Sequence, residues 1–285
     1  MTRNARDPKL AVITGAGSGI GWAASKKFAA AGYRVIGTAR TPQKAVHLKT
    51  EFETIGSPID TLSADLSNAA EVDRFIEEVL QSGPIDVFVN NAGVSAVGAV
   101  EQTDEDTTKA LFDINVLAPL RIVRGIGPSM RARGSGTIIN VSSMAGRVAQ
   151  PFNGLYSASK FALEGLTEQL YFELKPFGIR VASVLPGRID TPIKGKRLLH
   201  SAFEIDGEYG PAFASWKSSY EGGRFGGAGE PVEIVADTIF EAATTDHPKL
   251  RWPVGPDANA VDAALRKMTF EEYETSMRAA LSWND

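Results

Sequence analysis

Tyr156 and Lys160 stand four residues apart in the stretch L-Y-S-A-S-K, Leu155 to Lys160. On a helix this spacing stacks two side chains one turn apart on one face, so that an ammonium lies close to a phenol. A free tyrosine titrates at about pH 10, and a fixed positive charge favours the phenolate, which moves the group toward the range useful for proton transfer near neutral pH. Taken alone, the pair is as readily a solvated helix face. Its meaning depends on what the rest of the chain places beside it.

A second group of residues points to a nucleotide. Gly15, Gly19 and Gly21 fall in T-G-A-G-S-G-I-G, Thr14 to Gly21, together with Ser18 and Ile20. The stretch lies between a β-branched apolar run, Lys9 to Thr14, and an Ala-rich helical stretch that reaches Ala31 and stops at Gly32. A side chain in such a turn blocks the approach of a pyrophosphate, and the helix N-terminus supplies oriented amides and partial positive charge. The spacing G-x-x-x-G-x-G departs from the common G-x-G-x-x-G, with Gly17 adding freedom, and the alternative is a tight turn that holds no ligand. A dinucleotide fold that binds NAD carries an acid near the end of its second strand, where it holds the ribose hydroxyls. Here that strand, Tyr33 to Thr38, runs into Ala39 and Arg40, and no acid follows before Glu51. A guanidinium pairs with a 2′-phosphate, so Arg40 points to NADP(H) rather than NAD(H), unless it is only a solvated charge at the strand exit. Asp65 either accepts from the adenine amino group or caps the turn that follows it.

These residues need a scaffold, and the hydrophobic pattern provides one. After the first strand, helix and strand, the sequence predicts a helix over 43–55, a strand at 59–62 and a helix from Ala69 to Ser82 capped by Asn68. It continues with a strand from Ile85 to Asn90, a long helix from Asp104 to Arg131 and a strand from Thr137 to Ser142. A helix from Tyr156 to Pro176 and a strand from Ile179 to Leu185 complete the series. Repeated βα units of this kind predict a single α/β domain, a Rossmann-type, doubly wound parallel sheet with helices on both faces.

Residues 191–229 interrupt the rhythm with the basic run K-G-K-R and a glycine-rich end, G-G-R-F-G-G-A-G. They read either as a substrate lid or as a surface insertion with solvated lysines. Phe203, Tyr209, Phe213 and Trp216 within them either line an apolar pocket, suited to a steroid, retinoid, fatty or aromatic carbonyl, or hold the lid onto the body. A helix from Pro231 to Ala243 and a strand from Lys249 to Val254 follow. The tail from Asp257 to Asp285 has helical spacing and packs against the domain or a second subunit.

The composition excludes several classes of partner. With 43% hydrophobic residues, 22% charged residues and a net charge of −4, the 285-residue chain reads as globular and has no basic footprint for nucleic acid. There is no cysteine for thiolate or disulfide chemistry. His47, His200 and His247 have no metal-ligand spacing, so no metal is expected. The polar N-terminus and the absence of a long apolar run predict a cytoplasmic protein with no membrane partner.

In order along the chain stand T-G-A-G-S-G-I-G, D-L (Asp65, Leu66), N-N-A-G (Asn90 to Gly93), D-I-N-V with Asn115, N-V-S-S (Asn140 to Ser143), Y-S-A-S-K, and P-G-R-I-D-T (Pro186 to Thr191). With these pieces in sequence, residues 8–254 resemble the short-chain dehydrogenase/reductase family in its single-domain form. The resemblance implies an NADP(H)-dependent oxidoreductase that interconverts a carbonyl and a secondary alcohol. It makes Tyr156 the general acid or base, and gives Lys160 the tasks of lowering the phenol's pKa and holding the nicotinamide ribose. Ser143, 13 residues before Tyr156, would hold the reacting oxygen, while Ser142 faces elsewhere. Asn115 would support a water that links Lys160 to solvent.

The same resemblance places Asn91, Ala92 and Gly93 behind the adenosine half of the cofactor, and Pro186, Gly187, Ile189 and Thr191 beside the nicotinamide. It implies a homodimer or homotetramer built on the two long helices, although shorter members lack the extension beyond Val254. The competing readings are an NAD-preferring dehydrogenase of the same fold, a catalytically silent NADP-binding regulator or redox sensor, and a structural subunit. A sugar-nucleotide epimerase or dehydratase of the extended branch would carry T-G-x-x-G-x-x-G and a larger substrate domain.

Overall fold

Leu10–Ile13, the first strand β1, is buried along its whole length, as a strand covered by helices on both faces must be. The computed structural model describes residues 8–191, 197–199, 205, 207–221, 229–265 and 267–281. After β1 come α1 (Gly19–Ala30), β2 (Arg34–Ala39), α2 (Pro42–Thr54), β3 (Asp60–Ser63), α3 (Ala69–Gln81) and β4 (Ile85–Asn90). The caps follow local chemistry. Thr41 accepts from Lys44 N ahead of Pro42, and Asn68 accepts from Ala70 N and Glu71 N, as its sequence position predicts.

A short strand, β5 (Ser95–Val97), precedes α4 (Glu105–Phe112), a π-helical turn (Asp113–Leu117) and α5 (Ala118–Arg133). The backbone stays helical across both junctions, so α4, the π-turn and α5 form the single long helix expected from the sequence, with one wide turn inside it. Then come β6 (Gly136–Val141), α6 (Gly154–Leu174), β7 (Ile179–Pro186), β8 (Arg197–Leu199), α7 (Gly210–Glu221), α8 (Val232–Thr244), β9 (Arg251–Val254), α9 (Pro256–Leu265) and α10 (Phe270–Leu281).

Seven strands form one parallel sheet in the order β3-β2-β1-β4-β6-β7-β9. The order reverses between β1 and β4, and the crevice at their carboxyl ends is where an open α/β sheet takes a ligand. On one face α1, α2 and α8 bury Phe28, Phe52 and Ile239; on the other α3, α5 and α6 bury Phe75, Ile122 and Leu174. This is a single-domain, doubly wound Rossmann-type fold, as the alternation predicts.

The departures from expectation lie beyond the sheet. Strand β5 pairs in parallel with β8, and α7 follows, so the 191–229 excursion contains regular structure. The extension packs on its own domain: Leu281 of α10 is fully buried against Phe213 and Trp216 of α7, and Ser215 Oγ donates to Leu281 O at 2.5 Å. His200, Phe203, most of the K-G-K-R run and nearly all of the glycine-rich end lie outside the described residues.

Candidate active site

The loops leaving β1, β4, β6 and β7 converge on the crevice. The first depends on glycine. Gly15 and Gly19 have left-handed backbone, at φ +68 and +58. A Cβ at Gly15 would stand 2.9 Å from Ala92 Cα, and one at Gly21 would stand 2.3 Å from the Gly15 carbonyl oxygen. Glycine at 15 therefore lets the turn after β4 lie against the turn after β1, and glycine at 21 lets α1 begin directly against it. A Cβ at Gly17, by contrast, would meet nothing within 4 Å. No acid occupies the first turn of α1, and Ser18 at its cap does not turn its hydroxyl onto the helix amides. Open space above glycine, beside helix amides and with no nearby carboxylate in that turn, fits a pyrophosphate. Ile20 packs toward the first core.

Thr14 stitches the two turns together. Its Oγ1 accepts from Asn91 N (2.9 Å) and Ala92 N (3.0 Å) and donates to Val89 O, while Asn91 Nδ2 donates to Thr14 O at 2.8 Å. Sequence reasoning did not single out Thr14 as a site residue. Its place at the end of an apolar strand, immediately before the glycine turn, was the available signal.

Arg40, with its side chain 67% exposed, donates from Nε to Asp65 Oδ2 at 2.9 Å. Asp65 Oδ1 accepts from Ser67 N and Oγ, so of the two roles open to it the geometry displays the turn cap. Partial burial pushes the Asp65 carboxyl up, but the Ser67 and Arg40 donors outweigh this and hold it below the ordinary aspartate range. Leu66 packs toward the second core.

The four residues of the candidate catalytic group meet at the ends of β4, β6 and α6. Ser143 follows β6 in extended backbone and caps a short 3₁₀ turn, its Oγ accepting from Ala145 N at 3.1 Å. Its hydroxyl lies near enough to the Tyr156 phenol to lower the phenol's pKa. Ser142 points elsewhere: its Oγ is buried and lies close to Gly146. Tyr156 and Lys160 occupy the first two turns of α6, with Nζ 5.8 Å from the phenol ring centroid. Lys160 is 4% exposed and donates to Val141 O at 3.0 Å. An ammonium has three donors, so this anchor leaves capacity for further acceptors.

Asn115 sits in the π-turn, 1% exposed, where its Oδ1 accepts from Val94 N and its Nδ2 donates to Val94 O and Ser159 Oγ. A Cβ at Gly93 would lie 3.2 Å from Asn115 Oδ1 and 3.7 Å from Lys160 Nζ. The glycine thus allows the turn after β4, Asn115 and Lys160 to close on one another. π-Turns inside helices recur at functional sites.

Burial governs the proton affinities. Removal from water pushes the Tyr156 phenol up to about 12, opposite to the lowering expected from the neighbouring lysine; Ser143 pulls it down, and nearby Tyr220 pushes it up. Burial pushes Lys160 down to about 8, against the opposing charge of Glu164. Glu164, one turn beyond Lys160, bonds Ser183 Oγ and accepts from Arg251 Nε at 2.8 Å, and Arg251 also reaches Glu168. Sequence reasoning missed Glu164, although its i, i+4 spacing from Lys160 offered a signal.

Buried Pro186 ends β7; in the loop after it Gly187 N donates to Val254 O at 2.9 Å, buried Ile189 bridges to Glu230, and Thr191 is half-buried. Tyr209, just before α7, and Phe213 and Trp216 within it pack around Phe152, which has left-handed backbone at φ 58. These three aromatics thereby hold α7 onto the body. Tyr220 stacks on Trp216 (5.5 Å) and lies 5.0 Å from the Arg188 guanidinium on its other neighbour contact. No local spacing signals that Tyr220 comes near Tyr156. Among the described residues, no cluster of His, Cys, Asp or Glu is placed to hold a metal, and no helix is long and apolar enough to cross a membrane.

Comparison with known proteins agrees with this architecture. The family profile described as short chain dehydrogenase matches residues 9–201. An NADPH-dependent 3-dehydrocapnine reductase of Ornithobacterium rhinotracheale is 32% identical over 264 residues, covering 90% of this chain and 92% of that protein. A short-chain dehydrogenase from Streptomyces avermitilis superposes with a TM-score of 0.77 at 32% identity, covering 96% of this chain and 99% of the other. A metagenomic short-chain oxidoreductase in complex with NADP superposes with a TM-score of 0.67 at 28% identity, over 85% and 95% of the two chains. With a glycine turn, a Ser-Tyr-Lys group and a parallel sheet in this arrangement, the chain belongs to the short-chain dehydrogenase/reductase family of oxidoreductases.

Proposed function

We propose that the protein uses NADP(H) to interconvert a carbonyl and a secondary alcohol, with Tyr156 as the general acid or base. The observation that carries this reading is the grouping of Ser143, Tyr156 and buried Lys160, with Nζ 5.8 Å from the phenol ring centroid, beside a glycine turn that is open above Gly17. The nicotinamide, when bound, supplies the hydride chemistry. The chain's own part is the proton and the alignment of the reacting oxygen. The Tyr156 hydroxyl gives a proton to a carbonyl oxygen undergoing reduction, and Ser143 donates to that oxygen and polarises it. Lys160 holds the nicotinamide ribose with its remaining donors, and its charge eases proton loss from Tyr156 in the oxidative direction. Asn115 anchors the backbone of Val94 and supports a water that returns protons to Lys160.

On the nucleotide side, Gly15, Ser18, Gly19, Ile20 and Gly21 hold the pyrophosphate. Asp65 and Leu66, with Asn91, Ala92 and Gly93, border the adenosine, and Pro186, Gly187, Ile189 and Thr191 border the nicotinamide. Arg40 holds the 2′-phosphate. Its pairing with Asp65 uses Nε rather than the terminal fork. The same pairing also favours a second reading, an NAD-preferring enzyme in which Asp65 neutralises Arg40. Arg40→Asp separates the two: NADPH affinity should fall by roughly 10- to 100-fold, the loss of charge-assisted bonds, while NADH changes far less. An unchanged NADPH/NADH ratio in fluorescence titrations would remove Arg40 from the phosphate site.

The substrate is an apolar carbonyl or alcohol, and residues 191–229 act as its lid. The packing of Phe213 and Trp216 on Phe152, which seats α7 on the body, supports the lid and not a pocket lined by these rings. Oxidation of NADPH measured across a panel of ketones and aldehydes, with alcohols in reverse, tests the assignment. No turnover with any of them, while NADPH still binds, would leave the silent regulator. The protein acts in the cytoplasm as a homodimer or a homotetramer. Leu117, Phe161 and Phe172 on the π-turn and α6, exposed by 51%, 46% and 64%, supply the apolar surface for pairing.

A further inference from the structure

Gly187 and Arg188, the first residues after β7, are gripped from two directions. Gly187 N donates to Val254 O, at the end of β9, at 2.9 Å. Arg188 N donates to Asp257 Oδ2 at 2.7 Å, across 69 positions of sequence. The carboxylate that accepts this bond lies flat against glycine on both sides. A Cβ at Gly187 would stand 2.1 Å from Asp257 Oδ1 and 2.5 Å from its Cγ and Oδ2, and a Cβ at Gly255 would stand 3.0 Å from Oδ1. Gly255 has left-handed backbone at φ +99, but Gly187 is not among the glycines with positive φ. The need for glycine at 187 is therefore set by the Asp257 carboxylate and not by backbone conformation.

The base of Asp257 is equally fixed. It lies in the first turn of α9, where an acid ordinarily serves its own helix end, yet one carboxylate oxygen is committed to the distant Arg188 amide. Asn259 ties that turn to Gly255 O through both N (3.1 Å) and Nδ2 (2.8 Å). The next residue after Asp257, Ala258, is fully buried against Met144 and Leu185, and Val261 and Leu265 pack on the same cluster. Met144 adjoins Ser143. One helix of the extension thus supports both the loop after β7 and the turn that presents Ser143.

We propose that Asp257 is a positioning residue whose carboxylate clamps the Gly187–Arg188 backbone and so fixes the loop that borders the nicotinamide. The proposal rests on the reading of residues 186–191 as that border. It makes the first turn of α9 part of the cofactor site without any contact to the cofactor.

The test uses the full-length protein and two readouts: hydrogen exchange at the Arg188 amide without cofactor, and NADPH titration by nicotinamide fluorescence. Asp257→Ala should accelerate exchange at Arg188 and raise the NADPH Kd, each by about tenfold, the loss expected for a hydrogen bond to a charged acceptor. Asp257→Asn, which keeps an acceptor oxygen in the same volume, should recover part of both and decides the matter if the alanine variant does not fold. The KM for NADPH should rise while kcat at saturation holds. Gly187→Ala should be damaging beside Asp257 and much milder in an Asp257→Ala background, because the colliding carboxylate is gone. Exchange and affinity both unchanged in the Asn and Ala variants would overturn the clamp. A parent protein that binds no NADPH would instead overturn the functional reading, and exchange at Arg188 would still decide the clamp.

Discussion

Tyr156→Phe is expected to lower kcat by about 10²- to 10⁴-fold, the range for loss of a positioned acid or base, while NADPH binding stays measurable. The substitution keeps the ring beside Lys160 and removes only the hydroxyl. Near neutrality the phenol, raised to about 12 by burial, is protonated and suited to give a proton to a carbonyl. The reverse direction needs the phenolate, so alcohol oxidation should gain rate as pH rises. Steady-state rates in both directions, with nicotinamide fluorescence for binding, check this. A variant that turns over at the parent rate would remove Tyr156 from proton transfer.

The second large effect is expected at Lys160. Lys160→Met should weaken NADPH by about tenfold or more, as donors to the ribose are lost, and slow the acid–base step at the same time. Its pH behaviour separates the two tasks. Burial holds the Lys160 ammonium at about 8, below its ordinary 10.5, so it is charged below pH 8 and loses its proton above. The kcat/KM for carbonyl reduction by the free enzyme should decline above about pH 8, and Lys160→Met should lack that limb. Stability has its own sign. Between 8 and 10.5 the unfolded chain carries the proton that the folded one has released, so Lys160 makes the fold more stable as pH rises through that window. Urea titrations across the range should show this slope in the parent and not in the methionine variant. An alkaline decline retained by the variant would belong to another group.

The parts of this site legible in the sequence are those fixed by local spacing. Gly15, Gly19 and Gly21 sit between one strand and one helix, so their role follows from a single βα unit, and Tyr156 and Lys160 share a helix face because four residues make about one turn. Asn68 was legible as a cap for the same reason. What was not legible depends on distant chain segments. Tyr220 comes near enough to Tyr156 to influence its charge through the packing of α7 on Phe152 and Leu281, and no periodicity in residues 191–229 encodes that proximity. The pairs Ser95–Val97 and Arg197–Leu199 are three-residue strands that need each other to exist. Asp65 illustrates the limit from another side: its sequence position permitted both an adenine contact and a turn cap, and the cap became visible only in the Ser67 hydrogen bonds of the folded chain.

The wide turn at Asp113–Leu117 also bears on which chain lengths this fold tolerates. A π-turn amounts to one residue more than the surrounding helix requires. Removing a residue there would restore a regular, better-bonded helix, but would rotate everything on one side by about 100°, a single step of the helical wheel. Asn115 would then leave Val94 and Ser159. Helix quality and delivery of Asn115 are opposed at this point, so the number of residues between α4 and α5 is constrained independently of their identity. Surface loops of the same protein carry no such numerical constraint.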